Sequence, residues 1–95
     1  MKRVGKILEK VIKDLGIYKR FNEQKSLLYW NESVGDRISG KTKPLYAKNG
    51  KLIVEVENNV WMNELSFLKP EIIKKINQKI GSNAIDDILF FLKRG

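Results

Sequence analysis

The chain has 95 residues, 42% of them hydrophobic, and a formal net charge of +8. That length fits one domain spanning residues 1–95 with a single modest core. Cysteine and histidine are both absent, which excludes disulfides, thiolate nucleophiles, the common zinc sites and histidine-based triads.

Residues 2–15 read as a helix. Val4, Ile7, Leu8, Val11, Ile12 and Leu15 form one apolar stripe, and Lys2, Arg3, Lys6, Lys10 and Lys13 fill much of the remaining surface. The stripe is expected to dock on the nearby core and leave the basic face exposed. Gly16 follows as a C-cap. Ile17 to Arg20 is read as a connector. A second helix is expected from Phe21 or Asn22 through Val34, with Leu27, Trp30 and Val34 on one face. Gly35 weakens it, and Arg37-Ile38 adds a further turn. The basic loop Gly40 to Pro44 comes next.

Asn49-Gly50 lies between two apolar-alternating runs. This is the strongest short-range hairpin signal, because a two-residue type I′ turn needs positive φ at both central positions. Leu52, Val54 and Val56 share one face of the second strand, and Tyr46 is expected to face them. Lys51, Glu55 and Glu57 point the other way with Ile53, leaving that side largely polar. Asn58 or Asn59 caps the next helix. Its apolar positions are Trp61, Leu65 and Leu68, then Ile72, Ile73, Ile76 and Ile80. Pro70 between them permits either one kinked helix or two consecutive helices. Gly81 closes it, and Ala84 to Leu92 is the last strand. The order is helix, helix, strand, strand, one or two helices, strand. That is an α+β sandwich with a three-stranded sheet covered by helices on one face.

The charge is uneven. Residues 1–50 hold twelve lysines and arginines against five acids, whereas residues 51–95 hold seven against six. A polyanion is therefore expected to meet the first half. Lys2, Arg3, Lys6, Lys10 and Lys13 on the first helix, with Arg37, Lys41 and Lys43 around Gly40, are the candidate nucleic-acid-binding residues. Lys74, Lys75 and Lys79 are a further basic group. Contacts of this kind would be sequence-tolerant, because phosphate contacts carry no base information. Trp30 and Trp61 lie on apolar stripes and are read as core. Glu64 is given a structural role. No active site assembles: Gly40-Lys41-Thr42 lacks the upstream glycine of a P-loop, and adjacent Asp86 and Asp87 would point to opposite sides of a strand.

Trp30-x-x-x-Val34-Gly35-x-x-Ile38, then Thr42-x-Pro44, Gly50-x-Leu52-x-Val54-x-Val56 and Trp61-x-x-Glu64-Leu65 follow in order. From about Leu27 to Asn77 this pattern resembles the DciA family, a bacterial family long catalogued as a domain of unknown function. The resemblance implies a K-homology-like two-layer fold and a non-enzymatic accessory role in DNA replication. It implies two partners: DNA, bound through basic surface, and the replicative DNA helicase, whose loading the protein assists. No cofactor, metal, membrane or small-molecule substrate is implied, and the cytoplasm is the expected compartment. The Gly-x-x-Gly clamp of nucleic-acid-binding K-homology domains is missing, because Leu68-Lys69-Pro70-Glu71 occupies the equivalent joint. An RNA-binding module of that type, and a protein-interaction domain whose basic face is incidental, remain alternatives.

Overall fold

A computed structural model describes residues 2–94, with side chains described from residue 6 onward. The elements are α1 (Lys2–Asp14), α2 (Ile17–Ser39), β1 (Thr42–Lys48), β2 (Lys51–Val56), α3 (Asn59–Ile80) and β3 (Asp87–Leu92). The sheet order is β1-β2-β3. β1 and β2 are antiparallel, and β2 and β3 are parallel. A parallel pair cannot be joined by a tight turn, so α3 supplies the crossover between β2 and β3. The α+β sandwich expected from the sequence is therefore the fold, with a mixed sheet backed by α2 and α3.

The core is built where the apolar periods meet. Leu52, Val54 and Val56 of β2 and Ile88 of β3 are buried beneath Trp30, Ile38, Leu65, Ile72 and Ile76. Trp61, Leu68, Ile73, Ile80 and Phe90 pack around them. Trp30 is completely buried, and its indole N–H donates to Thr42 Oγ1 at 2.9 Å. Thr42 Oγ1 in turn donates to the Ile38 carbonyl at 2.9 Å. Both tryptophans thus belong to the packed interior, Trp30 fully and Trp61 in part.

Several local expectations are met. Asn49 (φ 52°) and Gly50 (φ 79°) both have positive φ, as a type I′ hairpin requires. Asn58 Oδ1 accepts from the Trp61 backbone N–H at 3.1 Å and caps α3. Gly81 ends α3 with φ 81°. Gly35 interrupts α2 at φ 85°, ψ 166°, so the helix bends there and one further turn delivers the chain to β1.

Other elements depart from expectation, each for an identifiable reason. Ile17 to Arg20 belongs to α2 instead of forming a connector, because Gly16 alone (φ 70°) makes the corner between α1 and α2. At Pro70, where one helix or two were both open, α3 is a single helix; the ring is exposed and the missing N–H leaves only one helical bond unmade. β3 begins at Asp87 and not at Ala84. The Asn77 side chain takes both backbone groups of Ile85, accepting from its N–H at 3.0 Å and donating to its carbonyl at 2.8 Å. That segment is satisfied without a ladder. Tyr46 does not face Leu52, Val54 and Val56. Counting back from the turn pairs Lys48 with Lys51, Ala47 with Leu52 and Tyr46 with Ile53. Ala47 therefore takes the core side and Tyr46 the opposite one. A register shift between Pro44 and Tyr46 then leaves Leu45 unpaired and exposed.

The largest departure is α1. Its apolar stripe does not dock on the core: Ile7 is 63% exposed and Leu15 60%, with Leu8 and Val11 also exposed. Among the described residues, α1 touches only α2. The sheet, α2 and α3 already enclose Trp30 completely, so the core around it is closed without α1.

Lys51 pairs with Asp86, and Lys69 pairs with Asp87 at 3.1 Å. The two adjacent acids thus serve different partners. Burial alone would raise the Asp87 carboxyl, but the Lys69 hydrogen bond, the Ile88 N–H at 2.8 Å and the charges of Lys69 and Lys51 outweigh it. The net effect holds Asp87 below its ordinary value of 3.8. A depressed carboxyl pKa stabilises the fold above the unfolded value, and that contribution is lost as pH falls through the folded one. Asp87→Asn is accordingly expected to lower stability at neutral pH and to flatten the wild-type decline below about pH 4. Urea melts across an acid series check this, and an unchanged pH profile would contradict it.

Candidate nucleic-acid interface

The eight basic residues singled out from the sequence do not form one patch. The side chains of Lys2 and Arg3 lie outside the described residues. Lys6, Lys10 and Lys13 are exposed on α1, and none makes an ion pair among the described residues. α1 joins the start of α2 at Gly16, whereas Arg37, Lys41 and Lys43 lie at its far end. α2 has 23 residues. At ~1.5 Å per residue the two groups are attached at points about 30 Å apart, less whatever the Gly35 bend removes.

The three residues at the far end differ from one another. Arg37 Nη2 lies 3.4 Å from Glu64 Oε1, and its guanidinium sits 5.2 Å from the Trp61 ring centroid. It clamps the end of α2 onto the start of α3, which also gives Glu64 its structural role. Lys41 pairs with Glu57 at 3.2 Å. Lys43 is exposed and has no ion pair among the described residues. Of the other basic group, Lys79 meets Glu32 at 3.4 Å, and Lys74 and Lys75 are exposed on α3.

A shallow cleft at one end of the sheet is lined by Gly40, Lys41, Thr42, Lys43, Glu55, Glu57 and Lys93. Lys93 was not singled out from the sequence. It reaches this cleft because the parallel ladder continues past β3, with the Lys93 N–H donating to the Val56 carbonyl at 2.8 Å. Lys48, beside the hairpin turn, was also missed; it is exposed and opposite Lys51. The alternation of β1 and the parallel pairing of β3 were the signals that could have found both.

Fold and surface together define a small helix-backed mixed sheet carrying separated basic groups and one uncovered amphipathic helix. A family model described as "Dna[CI] antecedent, DciA" matches residues 3–90, and the chain belongs to that family. It is 27% identical over 88 residues to a UPF0232 protein of Corynebacterium glutamicum (strain R), covering 93% of this chain and 49% of that protein. It is 24% identical over 82 residues to a UPF0232 protein of Mycolicibacterium smegmatis (strain ATCC 700084 / mc(2)155), covering 86% of this chain and 42% of that one. The chain therefore spans just under half the length of the curated relatives it matches.

The Arg37 geometry has a measurable consequence. Exposed ion pairs contribute little, so Arg37→Ala is expected to change unfolding free energy by less than about 1 kcal/mol. It should nevertheless shift the emission of partly buried Trp61, while fully buried Trp30 stays constant. Urea titration followed by fluorescence checks both, and a loss above about 2 kcal/mol would mean that the pair is far better shielded than its exposure indicates.

Proposed function

We propose that this chain is a non-enzymatic accessory of DNA replication. It binds DNA, single-stranded or at a junction, through basic surface and without sequence preference. It contacts the replicative DNA helicase and assists its loading. It acts in the cytoplasm, with no cofactor and no small-molecule substrate. The observation that carries this reading is the family match across residues 3–90.

Two features of the surface support it. The first is charge. The net charge of +8 includes Lys6, Lys10, Lys13, Lys43, Lys48 and Lys93, all exposed and none ion-paired among the described residues. Lysine ammoniums act on phosphates as mobile point charges, which favours positioning over base reading. The second is α1, whose Ile7, Leu8, Val11 and Leu15 stay exposed. An uncovered apolar helix stripe suits a protein partner, which supports the helicase half of the reading.

Binding driven by phosphate contacts releases counterions, so affinity should fall linearly with salt on a logarithmic plot. For single strands the slope is ~0.7 per phosphate neutralised. Replacing Lys6, Lys10 and Lys13 together by Gln is expected to weaken binding to an oligothymidylate and reduce the slope by roughly two. Fluorescence anisotropy over a salt series checks this. An absence of binding by the wild type at low ionic strength would remove the DNA-binding reading.

A further inference from the structure

The face of the sheet turned away from α2 and α3 is uncovered, and among its charged residues it carries a group of apolar ones. β2 places Ile53 there, opposite in phase to the core residues Leu52 and Val54. β1 places Tyr46 directly beside Ile53, and β3 places Leu89 on its other side. One step along, Phe91 lies beside Glu55. Ile53 is only 7% exposed although no helix packs on it, so its neighbours on the flanking strands cover it. Tyr46 and Phe91 remain 52% and 54% exposed. By strand spacing the positions of Tyr46 and Phe91 stand roughly 12 Å apart, with Ile53 and Leu89 as the apolar floor beside them, a separation that suits two different bases.

Lysines surround this floor. Lys43 and Lys48 share Tyr46's strand and side, and Lys93 continues beyond Phe91 in the same phase. Lys48 lies directly opposite Lys51, a cross-strand placement of like charges that is unfavourable by itself. Asp86 neutralises Lys51, but Lys48 has no ion pair among the described residues. The cleft beside Lys43 and Lys93 continues the same face toward the sheet's end. Glu55 and Glu57 lie among them, and Glu57 is held by Lys41 at 3.2 Å. A second copy of the chain would bring its own lysines against these, so self-association is disfavoured. A ligand that offers flat rings together with a run of negative charge meets both features.

We propose that the open sheet face is a stacking platform for single-stranded DNA, with Tyr46 and Phe91 each taking an unstacked base and Lys43, Lys48 and Lys93 holding the phosphates alongside. This rests on the DNA-binding reading above and adds, beside the phosphate contacts of α1, a second surface on which the bases stack. Stacking tolerates any base and requires bases free of a duplex, so the preference is for single strands.

The test compares an oligothymidylate, a fully abasic strand of the same length, the matching duplex and an oligouridylate, all at one salt concentration. Wild type is expected to bind oligothymidylate about 10-fold or more tighter than the abasic strand or the duplex. Tyr46→Ala with Phe91→Ala is expected to lose about 30-fold or more on oligothymidylate, with unchanged abasic binding and unchanged salt slope. Tyr46→Phe should keep wild-type affinity, and thermal melts of each variant control for folding, since both rings are exposed. Equal binding of thymidylate and abasic strands, or wild-type affinity in the double variant, would overturn the platform while leaving the electrostatic reading intact. Tighter binding of the uridylate strand would overturn the assignment to DNA. No binding to any strand would remove both readings.

Discussion

The hydrogen bond from Trp30 to Thr42 is the contact on which the rest of the molecule depends. A fully buried indole needs a partner for its N–H, and Thr42 Oγ1 supplies it at 2.9 Å while donating onward to the Ile38 carbonyl. Three pieces of chain are thereby locked together: the middle of α2, its last turn and the first residue of β1. Gly35 makes this possible, because φ 85° lets the helix bend between Trp30 and Ile38. Once Thr42 is placed, its pairing with Val56 sets β2, and the β2 core face carries α3 and β3.

Closing the core this way decides what stays outside it. α2 and α3 occupy one side of the sheet, and the other side keeps Tyr46, Ile53, Leu89 and Phe91 without a helix over them. α1 is left at the start of α2 with its stripe uncovered. In a chain of 95 residues, two unpaired apolar surfaces are a large fraction of the apolar inventory. They are surfaces that a protein kept for its own stability would have buried. Lys6, Lys10, Lys13, Lys43, Lys48 and Lys93 lie along the same uncovered regions, while Arg37, Lys41, Lys51, Lys69 and Lys79 are each held by an acid.

The sequence carried most of the fold because the decisive signals are short-range. Asn49-Gly50, the switch from a period of two to one of 3.6 after Val56, and the glycines at 16, 35 and 81 place nearly every element. What it concealed depends on tertiary geometry. The start of β3 at Asp87 follows from Asn77 reaching across to Ile85. The fate of the α1 stripe could not be read from its periodicity, which is the same whether a helix docks or waits for a partner. The candidate site was only partly legible. Lysine-rich composition marked Lys6, Lys10, Lys13 and Lys43, but the Arg37–Glu64–Trp61 clamp needed coordinates. The sides taken by Tyr46 and Lys48 were legible, since a two-residue turn already fixes which strand residues share a face.

The central claim is that this helix-backed sheet serves a replicative helicase. Co-purification of the full chain with the replicative DNA helicase of its own organism, with and without single-stranded DNA, tests it most directly. The account predicts that the two proteins elute together and that more single-stranded DNA is retained by the helicase when the chain is present. Separate elution at low ionic strength, with DNA retention by the helicase unchanged, would contradict it.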